Sequence, residues 1–208
     1  AASPLSNEKA LLISTPEIIS DTPHLNIAGT TILDPNSNNH LEPGETAQLQ
    51  ILLRNNGLSA AENVIAVLSC SDSYVTINTN TANYGSIAED SQALPQNNFI
   101  LSISPSCPGG HTINFTLNIS GSDLNWVYYF SLEVYVPILE FGTYTVLDAD
   151  GDYDGILDPG ETANLSVQLL NTGEVASNAG TATITSSTEG INIITGTAQF
   201  TAIAGNGN

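Results

Sequence analysis

Over long stretches of this chain apolar and polar residues alternate with a period of two. Ile113, Phe115, Leu117 and Ile119 are separated by Asn114, Thr116 and Asn118, and Leu165, Val167 and Leu169 by Ser166 and Gln168. That period puts one face of an extended strand against a core and the other in water. Turn-forming Gly, Pro, Asn and Asp interrupt the pattern roughly every ten residues. The alternation predicts strands near 26–32, 47–55, 63–70, 75–78, 99–104, 111–120 and 126–136. The abundance of Thr, Ser, Val and Ile also favours strands over helices. The expected class is all-β, with antiparallel strands stacked as a β-sandwich.

The chain repeats itself. Residues 41–88 align without gaps onto 157–204 at an offset of 116. Glu45 matches Glu161, Asn55 matches Asn171, Gly57 matches Gly173 and Tyr84 matches Phe200. Ahead of this block, Gly29-Thr30-Thr31 matches Gly142-Thr143-Tyr144. A period of this length is a domain rather than a solenoid repeat. The expected organisation is an N-terminal arm at 1–22, a complete unit at 23–137 and a partial unit at 138–208.

Each repeat carries an acidic loop before its first long alternating run. One copy offers Asp34, Asn36, Asn38, Glu42 and Glu45, and the other Asp150, Asp152, Asp154, Asp158 and Glu161. Counted from the first of these, the oxygen side chains fall at positions 1, 3, 5, 9 and 12, and position 6 is Asn39 or Gly155. This is the ligand spacing of a calcium loop, in which position 7 supplies a backbone carbonyl, here that of His40 or Ile156. A turn tolerant of positive φ at position 6 lets the chain wrap around one point. No amphipathic helix flanks either loop. Both run through Pro-Gly-Glu-Thr-Ala (43–47 and 159–163) straight into alternating residues, so the loops join strands. The first copy replaces two Asp by Asn and should bind more weakly. The plain alternative is a pair of solvated Asx turns.

Charge narrows the partners. Lys9 and Arg54 face 21 Asp and Glu, a net charge of −19. Such a chain repels nucleic acid and anionic membranes, and no apolar run is long enough for a membrane-spanning helix. Ala1-Ala2-Ser3-Pro4 lacks the basic start and apolar run of a signal peptide and reads as a mature end left after cleavage. In an oxidising compartment Cys70 and Cys107 could pair, closing a loop of about 38 residues worth roughly 4 kcal/mol; the alternative is two buried thiols. Three Asn-x-Ser/Thr sequons, at Asn114, Asn118 and Asn164, lie on the polar parity of their strands and are candidate glycan sites. Calcium loops, sequons and acidity together point to an extracellular or cell-surface location.

No catalytic constellation stands out. His24, His40 and His111 are scattered, and neither cysteine has a nucleophile–base partner in the sequence. Trp126, Tyr128 and Tyr129 could form a sugar-stacking platform, though core packing with one exposed ring is the commoner outcome. The expectation is a protein that is not an enzyme.

The second unit has no counterpart of the strands at 99–104, 111–120 and 126–136. A half sandwich exposes an apolar face and an open edge, which invites another chain. The arm holds Ala10-Leu11-Leu12-Ile13 followed by Ser14-Thr15-Pro16, which loosely matches Leu101-Ser102-Ile103-Ser104-Pro105. Such an arm could add to a neighbour's open sheet as a donor strand. Repeated head to tail, the contact is heterologous and builds a filament. The alternative is that the remaining strands lie beyond residue 208.

The segments 41–46, 55–57, 71–77, 104–108, 110–111 and 115–117, with 157–162 and 171–173, resemble the calcium-loop immunoglobulin-like repeats of large secreted bacterial proteins, including accessory regions of gingipain-type cysteine peptidases. The resemblance implies two tandem immunoglobulin-like antiparallel β-sandwiches, the second incomplete, with calcium as the only cofactor. It carries no catalytic domain. The functional expectation is a structural subunit of an extracellular filament, a head-to-tail homopolymer that could also carry covalent glycans. The alternative is a spacer or adhesive module of a large secreted hydrolase or surface protein.

Overall fold

The computed structural model describes residues 21–148 and 151–205. The class is all-β, built from several antiparallel sheets, with no helix among the described residues. The segment 10–13 and Asp150 lie outside the described residues.

Nine strands precede residue 134: β1 (Leu25–Leu33), β2 (Thr46–Asn55), β3 (Ala61–Ser69), β4 (Val75–Thr79), β5 (Thr81–Ile87), β6 (Gln92–Ala93), β7 (Phe99–Ile103), β8 (Thr112–Gly121) and β9 (Leu124–Glu133). They form two sheets, β1-β2-β7-β4 with β6 beside β2, and β5-β3-β8-β9. The period-two pattern is realised strand by strand. In β8, Ile113, Phe115, Leu117 and Ile119 are buried while Asn114 and Asn118 are exposed. One buried cluster draws on both sheets, Leu49, Ile51, Leu53, Phe99 and Leu101 from the first and Val64, Ala66, Leu68 and Phe115 from the second. Burying each large side chain of this kind is worth about 1.5–3 kcal/mol. Tyr84 enters the same cluster and satisfies its hydroxyl by donating to Ile51 O at 2.7 Å.

Strand β5 was not anticipated from the alternation. Its sequence, Thr-Ala-Asn-Tyr-Gly-Ser-Ile, mixes the strand formers Thr, Tyr and Ile with Ala, Asn and Gly, which strands disfavour. Gly85 sits at φ +71°, and the β3–β5 register shifts on both sides of Val64. The irregularity breaks the period that a sequence reading relies on, yet Ala82, Tyr84 and Ile87 still reach the core.

The second repeat has two separate pairs. β10 (Leu139–Leu147) pairs with β11 (Asn164–Asn171), and β12 (Gly180–Thr183) with β13 (Thr197–Phe200). They match β1–β2 and β3–β5 in register. Ile32 faces Leu49 as Val146 faces Leu165, and Ala66 faces Ala82 as Ala182 faces Ala198. This register corrects the alignment ahead of the loop. Thr30 faces Ile51 and Tyr144 faces Val167, so Thr30 corresponds to Tyr144, not to Thr143. The counterpart of β4, around Ile191 and Ile193, is not a strand. In the first repeat β4 pairs only with β7, and β7 has no counterpart among the described residues.

Both repeats are pinned at the same place by a buried asparagine. Asn55 Nδ2 donates to Ser59 O at 2.8 Å and Ile87 O at 3.1 Å, while its Oδ1 accepts from His24 and Gly57 N–H, each at 3.0 Å. Asn171 Nδ2 donates to Val175 O at 2.8 Å and Ile203 O at 3.1 Å, and its Oδ1 accepts from Ile138 N–H at 3.0 Å and Gly173 N–H at 3.1 Å. A Cβ on Gly57 or Gly173 would collide with the backbone passing over it, which explains the Asn-x-Gly spacing.

Candidate metal centre

The acidic loops connect β1 to β2 and β10 to β11, so strand pairing fixes both ends of each. Within them the same hydrogen bonds recur at equivalent positions. Asn38 N–H donates to Asn36 Oδ1, and Asp154 N–H to Asp152 Oδ1, both at 3.2 Å. His40 N–H donates to Asn38 Oδ1 at 2.8 Å, and Ile156 N–H to Asp154 Oδ1 at 2.7 Å. Glu42 N–H donates to Glu45 Oε2 at 3.2 Å, and Asp158 N–H to Glu161 Oε2 at 2.9 Å. At position 6 the backbone is left-handed in both copies, Asn39 at φ +64° and Gly155 at φ +79°. The predicted wrapping turn is present in both copies, and in the second it turns carboxylate oxygens toward a common point.

The first member of the second loop is Asp148. Its Oδ2 accepts Gly155 N–H at 3.3 Å, as Asp34 Oδ1 accepts Asn39 N–H at 3.2 Å. Asp148, Asp152 and Asp154 each bring a carboxylate oxygen within 4.8 Å of the others, and this cluster could hold a metal ion. Asp148 is buried and the other two are exposed. A twelve-residue count makes Asp150 position 1. From Asp34 to Asn36 is two residues and from Asp148 to Asp152 is four, so the second loop contains a two-residue insertion. The dipeptide Leu33-Asp34, repeated as Leu147-Asp148, is the sequence signal that places Asp148 at the position of Asp34; Asp150 lies outside the described residues.

Glu161 closes the second loop. A Cβ on Gly151 would overlap its carboxylate, so that carboxylate folds back over the loop and would have to move aside for any larger residue at 151. Gly151→Ala should displace Glu161, lower cation affinity at least about tenfold and leave the melting temperature in EDTA unchanged. Isothermal titration with calcium and melting with and without EDTA measure both.

The first loop is internally compensated. Asn36 Nδ2 donates to Glu42 Oε1 at 2.8 Å and to Glu45 Oε1 at 3.2 Å, and Asn38 Nδ2 donates to Glu42 Oε1 at 2.6 Å. Amide N–H groups stand where a cation would bridge the carboxylates. Burial, with the charges of Glu42 and Asp34, still pushes the Glu45 carboxyl above its ordinary range. Loop 1 is also tied to the end of the first repeat. The His40 ring lies 4.3 Å from that of Tyr135, and Tyr135 N–H donates to Leu41 O at 2.8 Å.

The remaining candidates fall elsewhere. Cys70 and Cys107 are both free thiols, and the disulfide expected between them is not made. Each sulfur has its own partner. Cys70 Sγ accepts Asp72 N–H at 3.3 Å, and Cys107 Sγ donates to Pro108 O at 3.8 Å. Burial and the Asp72 charge push both thiols up, away from reactive thiolate. Asn114, Asn118 and Asn164 are all exposed. Tyr128 turns inward and donates to Leu25 O at 2.6 Å, Trp126 packs on the core, and Tyr129 alone stands out, 79% exposed. These three rings therefore do not share one platform.

His111 Nε2 meets Asp72 Oδ2 at 2.7 Å. The Tyr74 N–H bond to Asp72, and then His111, hold the Asp72 carboxyl below its ordinary range. A lowered acid contributes stability above its unfolded pKa, roughly 3.9, and that contribution is lost as pH falls through the folded value. Melting temperature followed downward from about pH 6 should therefore fall on an acid limb that is shallower in His111→Phe; an identical limb would remove the pair from the account.

Compared with known protein families and with curated proteins, the chain matches none.

Proposed function

We propose that this chain is a structural subunit of an extracellular filament, two tandem immunoglobulin-like sandwiches joined head to tail by strand donation and stiffened by calcium. The observation that carries this reading is the unfilled core of the second repeat. Leu41, Leu49 and Ile51 are fully buried, and their counterparts Leu157, Leu165 and Val167 are each 44% exposed. Leu68 is 1% exposed and its counterpart Ile184 is 41% exposed. The same sequence pattern is thus covered once and open once. Covering the exposed part of four such side chains, 41–44% of each, is worth on the order of 3–5 kcal/mol before the costs of association. Residues 10–13 of a neighbouring molecule are the proposed donor.

Calcium is favoured by the chemistry of the donors. Asp148, Asp152, Asp154, Asp158 and Glu161, with the Ile156 carbonyl, offer only hard oxygens. Asp34, Asn36, Asn38, Glu42 and Glu45, with the His40 carbonyl, form a weaker site, because the two amides must turn over to present oxygen. The metal's role is mechanical. It would lock the loop between β10 and β11 and so hold the face to be covered. Glycans on Asn114, Asn118 and Asn164 would project from exposed strand faces.

Sedimentation velocity tests the assembly. Concentration-dependent species in steps of one chain mass are expected. A single monomeric species at all concentrations would favour a spacer module of a larger secreted protein.

A further inference from the structure

In the first repeat β7 completes the sheet beside β2 in a specific register. Thr46 faces Ser102, Ala47 faces Leu101, Gln48 faces Ile100 and Leu49 faces Phe99. The strand then runs onto the end of the acidic loop. Gly44 N–H donates to Ile103 O at 3.0 Å, and Ile103 N–H donates to Glu45 O at 2.8 Å. On the outward side the Thr46 and Ser102 hydroxyls meet at 2.8 Å. Phe99, Leu101 and Ile103 point into the core.

The equivalent edge, the start of β11 and the residues leading into it, has no such partner among the described residues; only Asn164 and Leu165 of it lie within β11. At an offset of 116 the matching residues are Gly160, Glu161, Thr162, Ala163, Asn164 and Leu165. Among the described residues β11 pairs only with β10, and Gly160 N–H and Glu161 C=O have no such bonds. A complete copy of the missing contact is therefore available within the molecule. It specifies an antiparallel segment with apolar residues at three alternate positions and a hydroxyl between the second and third.

We propose that residues 11–15 of a second copy occupy this edge, antiparallel to β11, with Ser14 opposite Thr162. The inference rests on the filament reading above and names the acceptor surface and register. Leu11 then faces Leu165 in the place of Phe99 and Ile13 faces Ala163 in the place of Leu101, while Thr15 faces Glu161 in the place of Ile103 and meets the third apolar position only in part, through its methyl group. Thr15 offers its N–H to Glu161 C=O and accepts Gly160 N–H. Ser14 meets Thr162 as Ser102 meets Thr46. Other registers are worse. A shift of one turns Leu11 and Ile13 to the solvent face. A shift of two, with Ile13 in the place of Ile103, drives Lys9 inward at the place of Phe99, a costly site for a charge. Pro16 takes the place of Ser104, whose N–H in the first repeat donates to Tyr74 O at 2.8 Å and not to β2, so its missing N–H costs no bond to this edge.

The test is a disulfide trap in the full-length chain. Ser14→Cys with Thr162→Cys, oxidised with glutathione disulfide, should give a ladder of covalent oligomers, with the 14–162 bond identified by mass spectrometry after Glu-specific cleavage. Ser14→Cys with Leu165→Cys, out of register, should give none. Ile13→Asp in the trap should abolish the ladder while leaving the circular dichroism and melting of the monomer unchanged, which separates lost docking from misfolding. Filaments without the 14–162 bond would overturn this inference and leave the filament reading standing. A 14–162 bond within single chains would overturn occupation by a second copy. Monomers with no bond would overturn both.

Discussion

Replacing Asn55 with alanine should cost about 4 kcal/mol of folding stability, as much as truncating a buried core side chain. The side chain is fully buried and uses four hydrogen bonds, two given and two received. They join the end of β2, the turn toward β3, the end of β5 and the segment leading into β1. Alanine takes this partner from two carbonyls and two N–H groups, one bond of the four buried and three part-buried, each a loss of about 1–3 kcal/mol softened by relaxation and water. Urea denaturation measures it. A loss under about 1 kcal/mol would mean that these backbone groups find other partners. Asn171→Ala should act in the same sense on the second repeat, where the same four bonds are made.

Asp148→Asn should remove most calcium-linked stabilisation of the second repeat. A ligand present at 100 times its dissociation constant adds about 2.7 kcal/mol, so weakening affinity about 100-fold removes nearly all of it. Asp148 is the buried member of the carboxylate cluster and also receives Gly155 N–H, which shapes the turn. An amide keeps the acceptor oxygen for that bond and deletes the charge. The variant should melt below the parent in calcium and at the same temperature in EDTA. Equal losses in both conditions would assign Asp148 a purely structural role. Asp150→Asn is the matched comparison, and a loss as large there would restore the twelve-residue count.

The alternation of side chains made most of the first nine strands legible, because a half-buried strand writes its two faces directly into the sequence. β8 is the clearest case, with four buried apolar residues separated by polar ones. β5 was illegible because its inward residues are spaced irregularly around Gly85 and include a small Ala82. At the site, the repeated Pro-Gly-Glu and the left-handed position 6 were legible from local chemistry. Asp148 was not, because a two-residue insertion keeps a plausible ligand, Asp150, at the counted position. The repeated Leu-Asp dipeptide carries the signal faintly, and the pairing of β10 with β11 makes it plain by putting Asp148 directly after the strand. The absence of a strand at Ile191 and Ile193 has the same origin. Their sequence matches β4, but a strand needs a partner, and the pattern of one segment does not record whether its neighbour is present.

Electron microscopy of the purified chain with and without EDTA tests the central claim most directly. The account predicts regular fibres whose axial repeat matches one two-unit subunit, shortened or lost when calcium is removed. Dispersed monomers under both conditions would contradict it.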